Sequence, residues 1–339
     1  MIILTDCLSE KVDEGCIKVA NTLSKKIKAF HKDAVLVAYN KGSDIADINL
    51  ELNPLFLNKS IYEVLKKEDS QVLYIPFASN TLASVLRTFV LSVMNKGRVK
   101  VLFTLRHPMN AFSKLMLKLS KATVVALSEE SYSFYSSVVS KSVVYLRTGV
   151  DTERFAPVDN DRKVELRKKY SLPLDKTIVL HIGHLNCGRN VDKLLNLDER
   201  NHAVLVLSSV TKNERDLQLY EKLKASDRIT VIDEYIKNVE EIYQLSDVYM
   251  FPVCEQGKCI DVPLSVLEAA ACDKPVVCTA YGELKSFINK NGFYFTDNFD
   301  YEYINQLVRQ AVDCNSSPRE AVLEYDWSNS IDKLLNLKD

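Results

Sequence analysis

The chain has 339 residues, which leaves room for two domains at roughly 100–200 residues each. Hydrophobic residues make up 47% and charged residues 26%, a balance that excludes long disorder. With 44 Lys+Arg against 45 Asp+Glu the net charge is -1, which excludes the strongly basic profile of a dedicated nucleic-acid binder.

The first segment, MIILTDCLSE, reads as a strand and lacks the basic start and longer apolar stretch of a signal peptide. No apolar run approaches the roughly 18 residues that span a bilayer. The expected location is therefore cytoplasmic, with peripheral contact at a membrane left open. The amphipathic stretch Gly15–Phe30 predicts a helix, and AVLVAY at 34–39 predicts a strand. A helix near 60–68, the strand 71–77, a helix near 80–94 and the strand 99–105 follow. A helix near 110–120, the strand 123–128 and the run 142–149 complete this half. The strands are apolar without alternation, as expected of strands covered on both faces of a parallel sheet.

The polar stretch 157–177 contains two prolines and reads as an interdomain connection with one short helix. After it the alternation resumes. Strands are expected at 177–183, 203–209, 229–233, 247–253 and 275–280. Helices are expected near 189–196, 213–225, 238–245 and 264–272. GELKSFI, GFYFT and a helical tail end the chain. Two doubly wound Rossmann-like domains facing across a cleft are the architecture this pattern implies, with ligands beyond the carboxyl ends of the strands. The expected limits are 1–155 for the first domain and 156–320 for the second, with a terminal helix over 321–339.

Charge divides unevenly between the halves. Residues 1–155 hold 21 Lys+Arg and 15 Asp+Glu, a net of +6, and the remainder carries -7. The first half therefore suits an anionic partner such as a lipid surface or a phosphate-bearing acceptor. Within it, Lys114, Lys118 and Lys121 fall at helical spacing among Phe112, Leu115, Leu117 and Leu119. That pattern fits either a membrane-touching basic face or a packed helix with one solvated lysine face, and the second is the expected reading. The eight cysteines include no CxxC pair, so buried free thiols are expected rather than a zinc site. Asp159-Asn160-Asp161 lies in the polar connection and not at a strand end, so no metal role is assigned to it.

Chemistry concentrates in residues 243–288, a strand, a loop, a helix and a second strand. The loop ends at Pro263, Leu264 and Ser265, where the backbone N–H groups of a helix start can receive a diphosphate. Glu268 lies one turn further in, where a carboxylate can accept from vicinal ribose hydroxyls. The run PLSVLEAAACDKPVV resembles the nucleotide-sugar motif of glycosyltransferase family 4, or group 1, of the GT-B fold, with Glu268 as the motif's second glutamate. GVDTERFAP at 149–157 resembles that family's domain junction, HIGHLNCGRNVDKLL at 181–195 its strand-loop-helix with a basic pair, and YDWSNSIDKLL its closing helix. The resemblance covers residues 142–335; the first 140 match in pattern only.

The resemblance implies a retaining, metal-independent glycosyltransferase that uses a nucleotide-diphosphate sugar as co-substrate and no further cofactor. The acceptor stays open: a lipid-linked or growing glycan, a lipid, a protein or a small molecule. It implies that Arg189 and His184 meet the diphosphate, that Gly183 and Gly15 leave room for a donor phosphate, and that His107 lines the acceptor side. Tyr281, Gly282 and Glu283 follow a strand beside the donor. The family's first glutamate is replaced by Ile260, with the neighbouring carboxylates Asp261 and Glu255 as candidate substitutes. That replacement supports an alternative, a catalytically inactive GT-B-fold protein that binds a nucleotide sugar or scaffolds a partner. A sugar-nucleotide epimerase is a third reading.

Overall fold

The computed structural model describes every residue except 69, 140–142, 209–214, 298, 315 and 336–339. The chain divides into two compact units. The first comprises Met1–Thr148, Ile260–Val262 and Trp327–Asp339; the second comprises Gly149–Cys259 and Pro263–Asp326. The expected limit at 155/156 lies seven residues beyond this division.

The first unit holds a seven-stranded sheet: β1 (Ile2–Thr5), β2 (Val35–Tyr39), β3 (Ile48–Leu50), β4 (Val72–Ile75), β5 (Val99–Phe103), β6 (Thr123–Ala126) and β7 (Val143–Tyr145). Its helices are α1 (Gly15–Phe30), α2 (Lys59–Glu68), α3 (Leu82–Met94), α4 (Ala111–Ser120) and α5 (Glu129–Val138). The order is β3-β2-β1-β4-β5-β6-β7, and all pairings are parallel, with Ile3 opposite Leu36 on one side and Leu73 on the other. β1, β4 and β5 are buried along their whole length, which is why their sequences show no alternation. Helices start where the sequence offers a side-chain oxygen to an orphan N–H. Glu14 caps α1, Thr81 caps α3, Asn110 caps α4 and Ser128 caps α5.

The second unit repeats the plan with α6 (Asn160–Lys169), β8 (Thr177–Gly183), β9 (Asn201–Leu207), α7 (Leu217–Lys224), β10 (Ile229–Ile232), α8 (Glu240–Leu245), β11 (Val248–Phe251), α9 (Leu264–Ala271), β12 (Val276–Cys278), β13 (Phe293–Phe295), α10 (Tyr301–Asp313) and α11 (Arg319–Val322). The order is β10-β9-β8-β11-β12-β13, again parallel. The last helix, α12 (Trp327–Leu335), belongs to the first unit and lies against α1. There Lys100 Nζ donates to Leu334 O at 3.1 Å. The four residues after α12 fall outside the described residues, as do parts of the expected strands 142–149 and 203–209 and of the expected helix 213–225.

Several expectations are corrected. The segment expected as a helix near 189–196 is a 3-10 helix over Val191–Asn196. The edge strand β3 is half-exposed and only three residues long, too short to leave a periodic signal. Asp159 of the Asp-Asn-Asp triplet is the N-cap of α6 and accepts from Arg162 N at 2.8 Å. On α4 the packed reading fails in part: Leu117 is buried, whereas Phe112, Leu115 and Leu119 are all more than half exposed. Of the cysteines, Cys7, Cys16, Cys272 and Cys278 are buried, but Cys187, Cys254 and Cys314 are exposed and Cys259 is half-buried. Among the described residues no helix is long and apolar enough to cross a membrane.

Each sheet has one place where successive connections depart in opposite directions, and a crevice opens there. In the first unit it lies between β1 and β4; in the second it lies between β8 and β11.

Candidate active site

In the second unit, β8 ends at Gly183 and the loop after it carries His184 and Arg189, at the carboxyl end of a strand that borders the crevice. Arg189 is only 3% exposed. Its Nη1 donates to Lys258 O at 2.9 Å, and its Nε has no hydrogen-bond partner among the described residues. Among those residues it forms no ion pair with a carboxylate. A buried guanidinium without an anion is costly, because desolvation is not offset by a counter-charge. A methyl group on Gly183 would stand 3.0 Å from Arg189 Nη2 and 3.3 Å from His181 Nε2. The absent side chain at Gly183 is thus the space into which the guanidinium folds. Asn190 holds the neighbouring loop by donating to Pro252 O at 2.9 Å.

The start of α9 adjoins this loop through Tyr249 on β11. The Tyr249 hydroxyl donates to Ile182 O at 3.3 Å and lies near Ser265. Pro263 precedes the first turn and no side chain caps it, so the helix start keeps backbone N–H groups for an incoming acceptor. All of α9 except Ser265 is buried. Glu268 is 2% exposed, and its Oε2 accepts from Tyr243 Oη at 2.9 Å. It is therefore not a solvated helix glutamate but a carboxylate held in place by a tyrosine. Burial and the Glu268 charge push the Tyr243 phenol well above its usual range, which keeps it a donor.

Tyr281 is buried and closes the loop, its hydroxyl meeting the backbone of Cys259. Glu283 is 1% exposed and accepts from the Tyr325 hydroxyl. Neither side chain is presented to solvent. Glu255 is exposed, and a methyl on Gly188 would collide with its carboxylate.

The other predicted residues lie in the first unit. Gly15 opens α1, and a methyl there would stand 2.9 Å from Ile260 Cδ1. Ile260 therefore occupies the space beside the bare Cα of Gly15. Asp261 is 7% exposed. Its N–H donates to Thr104 O at 2.8 Å, its Oδ1 accepts from Arg106 N at 3.2 Å, and its Oδ2 accepts from the Ser131 hydroxyl. Both oxygens are thus engaged, and the carboxylate anchors the segment Ile260–Val262 to Arg106 and Ser131. His107 is half-buried, and Asn80 grips its backbone from both sides, accepting its N–H at 2.8 Å and donating to its carbonyl at 2.9 Å.

Burial pushes the Asp261 carboxyl up to about 6, against the opposing pull of Ser131 and Arg106. A folded-state value above the unfolded value of about 3.9 means that the native state binds more protons between the two. Stability from this group is therefore full below pH 4 and is lost as pH rises through 6. Asp261→Asn should gain on the wild type by about 3 kcal/mol between pH 4 and pH 7, with the difference flat above. Denaturant midpoints of the two proteins across that range test this. A difference that does not grow with pH refutes the buried-carboxylate account.

Sequence reasoning missed His181, Tyr243, Tyr249 and Asn80. Only His181 left a signal, a polar residue inside the apolar run TIVLHIG; the others act through contacts made by the fold.

The fold is shared with solved glycosyltransferases. A glycosyltransferase from Rickettsia africae ESF-5 superposes with a TM-score of 0.79 at 16% identity, covering 99% of this chain and 97% of its own. HepE of Anabaena, solved with UDP-glucose, gives 0.77 at 11% identity over 98% of both chains. In sequence, EpsD of Bacillus subtilis (strain 168), itself named only provisionally as a glycosyltransferase, is 29% identical over 203 residues. That match covers 56% of this chain and 52% of EpsD, so the chain spans about half the length of this relative. Residues 177–313, which include Gly183, Arg189 and Glu268, match the family model described as glycosyl transferases group 1.

Proposed function

We propose that the chain is a family 4 glycosyltransferase that moves a sugar from a nucleotide-diphosphate donor, retains its anomeric configuration and needs no divalent metal. The observation that carries this reading is Arg189, a buried cation without a carboxylate partner among the described residues, at the crevice of the second sheet. An anionic ligand is what such a group requires. The group 1 match over the same residues and the UDP-glucose complex of HepE support a nucleotide diphosphate.

The roles follow from chemistry. The leaving diphosphate gains negative charge as the glycosidic bond breaks, and fixed cations and dipoles can meet that charge. Arg189 grips it bidentately, His184 adds a donor, and the N–H groups of Leu264 and Ser265, just after Pro263, complete the cradle. Glu268, oriented by Tyr243, takes the ribose hydroxyls. On the first unit His107, held by Asn80, lines the acceptor side. There the exposed Phe112, Leu115 and Leu119 alternate with Lys114, Lys118 and Lys121. That face suits peripheral contact with an anionic membrane and thus a lipid-linked acceptor.

The test is calorimetric binding to UDP-, GDP- and ADP-sugars without added metal, with released nucleotide diphosphate assayed in parallel and the product anomer read by NMR. Binding of one donor with retained transfer upholds the proposal. Binding without release on any acceptor would favour the inactive scaffold, and no binding at all would end the donor reading.

A further inference from the structure

The strand that precedes the Arg189 loop carries a second buried polar group that the proposed chemistry does not use. His181 lies on β8, two residues before Gly183, and is fully buried. Its Nδ1 lies 2.8 Å from Met250 O. A carbonyl only accepts, so Nδ1 carries the proton and Nε2 presents a lone pair. That Nε2 has no hydrogen-bond partner among the described residues, and neither has Arg189 Nε. Both the ring and the guanidinium flank the bare Cα of Gly183, within 3.3 Å of the same point. Tyr249 stacks on the ring with centroids 6.4 Å apart and planes at 23°, which fixes its plane.

Two buried nitrogens without hydrogen-bond partners among the described residues, His181 Nε2 and Arg189 Nε, are unfavourable singly, and their groups are favourable together. An imidazole whose N–H end points at Met250 O turns the negative end of its dipole toward the guanidinium. In a low-dielectric interior a charge–dipole contact of this kind gains strength. Burial and the neighbouring Arg189 charge hold the His181 pKa down at about 4, so the ring is neutral at pH 7. A neutral partner steadies the cation without neutralising it, which a carboxylate at this place would do.

We infer that His181 is a positioning residue for Arg189: its Nε2, aimed across Gly183, holds the guanidinium in the crevice while leaving its full charge for an anionic ligand. The inference rests on the donor reading for the ligand, but the placement of His181 and Arg189 on either side of Gly183 stands on geometry alone.

The experiment is a double-mutant cycle on the intact chain with His181→Phe, Arg189→Met and the pair, together with His181→Gln, which keeps an acceptor. Two readouts are taken, the unfolding midpoint without ligand and the calorimetric affinity for UDP. Loss of UDP affinity of about tenfold is expected for His181→Phe, with recovery to within about threefold of wild type for His181→Gln. In the Arg189→Met background His181→Phe should have no further effect on UDP affinity, and the unfolding midpoints should be non-additive. Wild-type UDP affinity in His181→Phe, or additive effects in both readouts, overturns the inference. If the wild type binds no nucleoside diphosphate, the donor reading falls, and the ligand-free cycle alone then decides: non-additive midpoints uphold the contact and additive ones refute it.

Discussion

Arg189→Met should lower kcat/KM for the donor by about 100- to 1000-fold, the range seen when one fixed donor to a developing oxyanion is removed, while leaving the fold at least as stable. The two halves of that result have one cause. The guanidinium is 3% exposed and meets one carbonyl, Lys258 O, with no carboxylate among the described residues. Without ligand it is a buried charge lacking a counter-charge, so methionine, similar in length and apolar, removes a penalty. In the proposed reaction the same charge is the main fixed cation at the leaving group. A residue that costs stability and serves the reaction shows this opposition. Arg189→Lys should recover only part of the rate, because an ammonium lacks the planar fork for two phosphate oxygens. Thermal midpoints and steady-state kinetics on one preparation check both halves. A variant that loses stability and rate together would place Arg189 among structural residues.

Much of this was legible in the sequence because it is written in local patterns. Uninterrupted apolar strands alternating with amphipathic stretches specify two parallel sheets, and PLSVLEAAACDKPVV marks α9 with Glu268 at its centre. What was not legible depends on contacts distant in the chain. Ile260 reads as the loss of a glutamate; only the fold shows that it packs on the bare Cα of Gly15, 245 residues earlier. Asp261 reads as a nearby carboxylate, and only the fold shows both oxygens spent on Arg106 and Ser131. Tyr243 is one of 16 tyrosines and nothing local distinguishes it. The exposed apolar face of α4 also escaped, because helical spacing gives the sides of a helix but not which side faces solvent.

Glu268→Ala should weaken UDP binding by about 10- to 100-fold and leave the binding of inorganic pyrophosphate within about twofold of wild type. The argument is one of division of labour. Pyrophosphate has no ribose, so it reads only the cradle formed by Arg189 and the start of α9. UDP reads the cradle and the carboxylate together. Each hydrogen bond from a hydroxyl to a buried carboxylate is worth about 1.5–3 kcal/mol, so losing one costs at least tenfold. The substitution also strands the Tyr243 hydroxyl, which donates to Glu268 at 2.9 Å, and the cost of an unsatisfied buried donor is about 1–3 kcal/mol of stability. Pairing it with Tyr243→Phe removes that stranded group, so the double variant should regain stability without regaining UDP affinity. This separates a binding role from a structural one. Arg189→Met, by contrast, should weaken pyrophosphate and UDP alike. Equal losses for both ligands in Glu268→Ala would move Glu268 from the ribose to the framework of α9, and unchanged UDP affinity would remove it from the site.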